Sequence, residues 1–319
     1  MSWTVYEIIL RLHSPLHIGY REVGYLRRTR PYVTGRALRG ALVNRVGRNQ
    51  DIRGEDPGDP FRAVSKTFAQ YLTFTYFYPA LNKDGKWKVC FPWEDEAGFR
   101  RRFLSSYTST ALAYPHQTAA EGLLHETEFI SPRTLDTGEP VYLMGYLFVQ
   151  EERLKREKYD WVGALRRLQL GGERGYGWGD VRLVGEPAQV KEADEPGAGC
   201  GSGDVRLVGE PAQVKEGLLF DKICFRTGEE WPVLTLKENG AVLAHTFAEN
   251  VRLSGPLEPI VGREWRAGGQ NYDPKRPHIG QYLNPNGVFF APGSVVSEKT
   301  DFEIVEAGYW RARAKESQP

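Results

Sequence analysis

The sequence predicts an α+β protein of two domains, on three observations. At 319 residues the chain is long enough to bury two cores. Hydrophobic residues at 40% and charged residues at 26% are those of an ordinary globular protein. Up to Val184, strand-like and helix-like runs follow the order strand, helix, strands, helix, glycine loop, strand. That is the order of a ferredoxin-like (RRM-like) α+β sandwich.

The first strand is expected over 3–12, WTVYEIILRL, which is rich in β-branched and aromatic types. Pro15 and Gly19 in SPLHIG end it, and a basic loop follows. PYVTGRALRGALVNRV then reads as a strand end and a helix. Thr34 is the expected N-cap, and Ala37, Leu38, Ala41, Leu42 and Val46 form the apolar stripe. Arg36, Arg39 and Arg45 fall off that stripe and are expected to face outward. The acid-rich DIRGEDPGDP reads as a loop.

Further strands are expected in YLTFTYFYPAL, KWKVCFPW, PVYLMGYLFVQ and DVRLV, with WVGALRRLQL as a short helix leading into the glycine loop. Beyond residue 217, LLFDKICF, PVLTLKENG, AVLAHTF and GVFFAPGSVV suggest a second, smaller α+β unit. The expected division is therefore an N-terminal domain over 1–192, a linker over 193–216 and a C-terminal domain over 217–319.

A repeat marks that junction. Residues 175–192, GYGWGDVRLVGEPAQVKE, return at 199–216 as GCGSGDVRLVGEPAQVKE, identical at 16 of 18 positions. Tyr to Cys and Trp to Ser, the two mismatches, each need one base change. Two copies are too few to stack into a solenoid, which takes about three. The second copy is expected to be surplus and the first to supply the strand, because the first keeps Tyr176 and Trp178 in continuity with Gly171.

The net charge of +1 hides an asymmetry. From Arg11 to Arg48 there are nine arginines against one acid, Glu22, a local balance of +8. All nine being arginine, never lysine, suits planar, bidentate recognition of phosphates and bases. A directed basic surface on a near-neutral chain points to a polyanion. No long apolar run exists, and Glu7 and Arg11 interrupt the N-terminal one, so a cytoplasmic protein with neither signal peptide nor membrane span is expected. Cys90, Cys200 and Cys224 are too few and scattered for a disulfide framework or a zinc site.

The stretch around LQLGGERGYGWGDVRLV carries glycine at 171, 172, 175, 177 and 179. A P-loop would need Lys-Ser or Lys-Thr after its glycines, and a dinucleotide fingerprint would need a strand before and a helix after. Neither context is present. A hairpin turn needs one or two glycines. Five let another backbone lie close, while Tyr176 and Trp178 offer faces on which bases stack. Residues 176 and 178 share parity and are expected to point the same way, Tyr176 toward a base and Trp178 into packing.

Three motifs in this order carry a resemblance: SPLHIGY, RPYVTGRALRGAL and GGERGYGWG. They resemble the first-strand ending, the PYIPGSSLRGAL turn into a helix and the glycine-rich loop of the RAMP superfamily, the repeat-associated RNA-binding proteins of CRISPR systems. FFAPGSVV near the C-terminus is similar to the GSV stretch of two-domain members that cap the guide RNA 5′ end. The resemblance implies ferredoxin-like RAMP domains and binding of guide RNA (crRNA). It also implies assembly with backbone RAMP subunits and a large polymerase-cyclase-type subunit in a type III-like antiviral complex. The residues expected at RNA are His17, Tyr20, Arg21, Arg27, Arg28, Arg30, Arg36, Arg39, Gly171, Gly172, Arg174, Gly175, Tyr176, Gly177 and Trp178.

The departures from the family pattern narrow the role. Target-cutting backbone subunits carry an Asp just before the PYIPGSS motif, whereas YREVGYLRRTR here has only Glu22, and the two serines are replaced by Arg36 and Ala37. Guide-processing members work metal-free with a His as acid-base. His13 and His17 are the candidates for that alternative, but such enzymes carry the glycine loop near their C-terminus, and here 140 residues follow Gly179. His116, His125, His245 and His278 lack ligand spacing, and Asp51, Glu55, Asp56 and Asp59 read as a solvated loop. Arg263, Arg266, Arg276, Tyr272 and Tyr282 lie in a long glycine-bearing stretch that suits RNA, a subunit contact or an ordinary loop. The expectation is a non-catalytic subunit holding the guide's 5′ handle, without metal or cofactor. A processing nuclease and a polymerising backbone subunit are its rivals.

Overall fold

A computed structural model describes residues 3–50, 59–113, 118–190, 215–220, 223–227, 230–264 and 282–313. Contacts divide the chain into two units, Met1–Leu234 with Ile304–Gly308, and Thr235–Glu303 with Tyr309–Pro319.

The first unit opens with β1 (Thr4–Leu12), β2 (Gly19–Val23) and β3 (Leu26–Thr29), followed by α1 (Gly35–Arg48) and α2 (Asp59–Tyr71). Strands β4 (Leu72–Phe74), β5 (Tyr78–Lys83) and β6 (Lys86–Val89) precede α3 (Glu96–Phe103) and β7 (Leu104–Ser109). After the short pair β8 (Leu112–Ala113) and β9 (Thr118–Ala119) come β10 (His125–Ile130) and β11 (Tyr142–Val149). Helices α4 (Glu151–Glu157) and α5 (Trp161–Leu165) lead to β12 (Arg167–Gln169), β13 (Asp180–Leu183) and β14 (Ala188–Gln189).

The main sheet runs β12-β13-β1-β11-β5-β6, with β14 also on β1 and β4 on β11. Its four principal strands, β1, β5, β11 and β13, lie in the spatial order fourth, first, third, second, and every neighbouring pair is antiparallel. Ile8, Leu10 and Leu12 of β1 share one core with Leu38, Leu42 and Val46 of α1 and Val64 and Phe68 of α2. Each such side chain, fully buried, contributes about 1.5–3 kcal/mol. Thr34 caps α1, its hydroxyl accepting from the Ala37 N–H at 3.3 Å. The two helices close on Gly47, where a Cβ would stand 2.6 Å from the Phe61 ring.

A second sheet, β2-β3-β10-β7, forms part of the same unit. Here the structure corrects two expectations. The basic segment after Gly19 is a β-hairpin, not a loop; Gly24 turns it with φ +61°. The glycine loop does not leave a helix, because α5 ends at Leu165 and β12 intervenes. The loop joins the paired strands β12 and β13, Leu168 facing Val181. It is the hairpin connection, and its glycines serve close approach as well. Asp180–Leu183 of the first repeat copy supplies the strand beside β1. Its counterpart over 204–207 lies outside the described residues, as do Cys200 and residues 193–214.

The second unit consists of strands among the described residues, with no α-helix there, where an α+β unit was expected. Its runs are rich in β-branched and aromatic types and lack a helical stripe. Phe289 and Phe302 are fully buried, with Phe247 packed 4.6 Å from Phe289 and Trp310 5.5 Å from Phe302. In FFAPGSVV, Gly293 turns with φ +94° and buried Ser294 donates to the Ala291 carbonyl at 2.8 Å. Arg263 and Tyr282 sit on the paired strands Leu257–Glu264 and Tyr282–Phe290; Arg266, Tyr272 and Arg276 lie outside the described residues. Cys90 is a free thiol. Asp59 begins α2, while Asp51, Glu55, Asp56 and His116 lie outside the described residues.

Candidate nucleic-acid interface

The glycine loop is fastened to the end of the first strand by backbone. Gly172 N–H donates to the His17 carbonyl at 2.8 Å, Gly179 N–H to the Pro15 carbonyl at 2.8 Å, and Asp180 N–H to Ser14 Oγ at 2.9 Å. Gly171 has φ +74°, and a Cβ on it would lie 2.2 Å from the His17 oxygen; on Gly179, at φ +79°, it would lie 1.9 Å from the Leu170 oxygen. Only glycine fits both positions. Gly175 and Gly177 have nothing within 4 Å of that point, so the loop tip is open to an incoming group.

The tip itself is a 3₁₀ turn, Arg174–Tyr176, entered through Glu173 at φ +53° and left through Gly177 at φ +81°. Gln169 braces it by donating to the carbonyls of Arg174 and Trp178 at 2.8 and 3.1 Å. Because the segment is a turn and no strand, the parity argument fails for residues 176 and 178. Tyr176 is 83% exposed. Trp178 is half-buried, edge-on to Phe129 of β10 at 5.1 Å and to Tyr107 of β7 at 6.5 Å. Trp178 thus docks the loop on the second sheet.

That sheet carries Arg21, Arg27 and Arg28 of the basic segment, with Arg30 just after it, while Arg36, Arg39, Arg45 and Arg48 lie on α1. Every residue of β2 is exposed, including Tyr20 and Arg21. Arg27 bridges the sheet to the loop, its guanidinium 3.6 Å from Glu173 and 3.7 Å from Glu22. Arg30 lies over the Tyr20 ring at 4.8 Å and donates to the Tyr32 hydroxyl at 3.2 Å. Exposed Tyr25 and Tyr107 extend the aromatic surface, and the sequence reading missed both.

Two of the expected RNA arginines are committed to protein. Arg28 donates to the Glu128 carboxylate at 3.1 Å. Glu128, 6% exposed, also accepts the Thr29 N–H at 3.0 Å and pairs with Arg100 of α3. Arg39 pairs with Glu306 and donates to Ser65 Oγ at 3.1 Å, so it does not face outward. Arg36 is half-buried.

Of the two candidate acid-base histidines, His17 is buried and its Nδ1 lies 2.7 Å from the Glu128 carbonyl, as a donor to it. Its Nε2 faces Gly19, where a Cβ would come to 2.8 Å. His13 is exposed; partial burial, then the Arg182 and Arg11 guanidiniums, lower its pKa from 6.5. Among the described residues no three His, Cys, Asp or Glu side chains are grouped to hold a metal ion. No described helix is long and apolar enough to cross a membrane.

No protein-family pattern matches the chain, and no curated protein does. Among solved structures, a chain of the type III-B Cmr-beta complex in its apo state matches with TM-score 0.37 and 10% identity, over 56% of this chain and 96% of that one. A chain of the complex bound to cognate target RNA gives 0.37 and 11% over the same shares. One from the complex bound to cognate target RNA and AMPPnP gives 0.44 and 10%, over 91% of this chain and 85% of that one. At these TM-scores the likeness assigns neither fold nor function. The RAMP resemblance stands on the residues that carry it.

Proposed function

We propose that this chain is a non-catalytic guide-RNA-binding subunit of a type III-like CRISPR effector complex, the one that holds the 5′ handle, and that its N-terminal unit is a ferredoxin-like RAMP domain. One observation supports this above the others. SPLHI and GGERGYGWG, two of the motifs that carry the resemblance, meet through backbone hydrogen bonds at Pro15 and His17. The junction presents Arg174 and Tyr176 next to Arg27. RNA phosphates approach the open backbone at Gly175 and Gly177, and a base stacks on Tyr176. Backbone RAMP subunits and a large polymerase-cyclase-type subunit are the proposed protein partners.

The test uses the pure chain and two RNAs of equal length, one with the repeat-derived 5′ handle and one with that handle scrambled. Tighter binding of the first, without cleavage in EDTA, is the expected result. Site-specific cleavage in EDTA would assign the chain to guide processing. Equal affinity for the two RNAs would remove the handle role. Native mass spectrometry of the assembled complex should count one copy; several would make it a backbone subunit.

A further inference from the structure

A groove of about 390 Å³ opens in the first unit where the early part of β1 passes α4, α5 and the turn before β14. Small-molecule sites span about 300–1,000 Å³. It lies near Tyr6, at the other end of β1 from the glycine loop's attachment after Leu12. Nothing in the RNA reading uses it.

Its walls are flat and apolar. Trp161 and Tyr6 stand with ring centroids 5.4 Å apart and planes tilted by 56°, and Pro187 adds another apolar surface. The polar groups sort by type. The Tyr6 hydroxyl donates to the Glu151 carboxylate. Burial first, then Glu151, raise the Tyr6 pKa far above its ordinary value, so the phenol keeps its proton and spends it on Glu151. What this pair offers a ligand is lone pairs alone. The rim holds two lysines, and Glu186, which is paired with Arg166 at 2.8 Å. Lys155 lies 3.4 Å from Glu151 and 3.0 Å from Glu152. Lys158 ends α4 in the left-handed conformation, φ 57°, exposed and with no ion pair among the described residues. A lysine at positive φ is uncommon and strained, and persists only where the surrounding structure holds it, here at the C-cap of α4.

A ligand for this groove needs a flat face for Trp161, an edge made of donors for Tyr6 and Glu151, and an anionic group for the lysines. Among the nucleobases, guanine alone has two adjacent donors, N1–H and the N2 amino group, on its Watson–Crick edge. Adenine and cytosine place a donor beside an acceptor there, and uracil sets its one donor between two acceptors. We propose that the groove binds a guanine nucleotide: Trp161 stacks the base, Glu151 accepts from N1–H and N2–H, and Lys158 pairs with the phosphate. The guanosine is either a free mononucleotide or the terminal residue of an RNA.

Isothermal titration of the full chain with guanosine 5′-monophosphate, the adenosine and cytidine 5′-monophosphates, and guanosine tests it. The guanine nucleotide should bind roughly tenfold tighter than the adenine one, as expected for a charge-assisted donor pair lost. Glu151→Gln should erase that preference. Lys158→Ala, at an exposed position where folding is not at stake, should bring the nucleotide down to the affinity of guanosine. Thermal melts confirm that both variants are folded. A 5′-phosphorylated tetranucleotide with guanosine first, compared with one carrying it internally, separates the two sources: discrimination between them assigns an RNA end, and its absence a free nucleotide. No heat at millimolar nucleotide, equal affinity for the guanine and adenine nucleotides, or unchanged binding in both variants would overturn the proposal. None of these readouts involves the glycine loop, so failure here and failure of the handle reading are distinguishable.

Discussion

The backbone N–H of Gly172 donates to the carbonyl oxygen of His17 at 2.8 Å, joining two segments that lie 155 residues apart in the chain (172 − 17). Close approach of backbone, here and across the hairpin itself, explains two of the loop's glycines. At Gly171 a side chain would meet the His17 oxygen, and at Gly179 the Leu170 oxygen.

Glycine replacement should therefore split into two classes. Gly171→Ala and Gly179→Ala each force a Cβ onto a backbone oxygen at positive φ, and each should destabilise the first unit by roughly 1–3 kcal/mol or more. Gly175→Ala has open space and no positive φ, and should stay within about 0.5 kcal/mol of the parent. Urea unfolding of the three variants measures this. Equal effects at all three positions would mean that the loop is not held as described.

The two loop aromatics should part company in the same way. Trp178→Ala removes the ring that packs on Phe129 and Tyr107, and because it is half-buried the loss should be about 2 kcal/mol, below the 3–5 of a full core aromatic. Tyr176→Ala should leave stability unchanged and weaken RNA binding by roughly 1–3 kcal/mol. A Tyr176→Ala chain that melts early but binds fully would reverse the assignment.

These contrasts mark what could be read from the sequence. Thr34 as a cap and the Leu38, Leu42, Val46 stripe were legible because each depends on neighbours within one or two turns. The helix over Asp59–Tyr71 was not, although Phe61, Val64, Phe68 and Tyr71 keep helical spacing. The acid-rich run up to Pro60 reads as a loop and the β-formers from Tyr71 as a strand, which left the ten residues between them without an element. The β2–β3 hairpin left no trace because β2 is exposed throughout, and without a buried face there is no alternation to see. Which arginines stay available was beyond any local pattern. Arg28 and Arg39 are satisfied by Glu128 and Glu306, chosen by tertiary packing from far along the chain.

Salt dependence should reflect that division. Arg21→Ala and Arg174→Ala remove exposed guanidiniums that have no ion pair among the described residues. Each should flatten the dependence of log affinity on log salt by about 0.7 if it neutralises one phosphate of a single strand. Arg39→Ala should leave the slope unchanged, because its charge is paired to Glu306. Fluorescence anisotropy over a salt series gives the slopes. A flatter slope in Arg39→Ala alone would place the RNA on the α1 face, away from the loop.

Glu128 sets the last expectation. Its carboxylate is buried and accepts from Arg28, Arg100 and the Thr29 N–H, and its carbonyl lies 2.7 Å from His17 Nδ1. Glu128→Ala leaves two guanidiniums and a backbone N–H without their acceptor, which should cost about 3–5 kcal/mol. Glu128→Gln keeps the shape and one oxygen but loses the charge, and should cost about 1–3 kcal/mol. The isosteric change also unmasks positive charge beside the loop. If RNA lies on this sheet, Glu128→Gln should bind it more tightly at low salt and with a steeper salt slope, while melting earlier. Stability and slope thus move in opposite senses in one variant, which a general loss of folding does not produce. A Glu128→Gln chain that melts early and binds RNA with an unchanged slope would show that Arg28 and Arg100 face away from the nucleic acid.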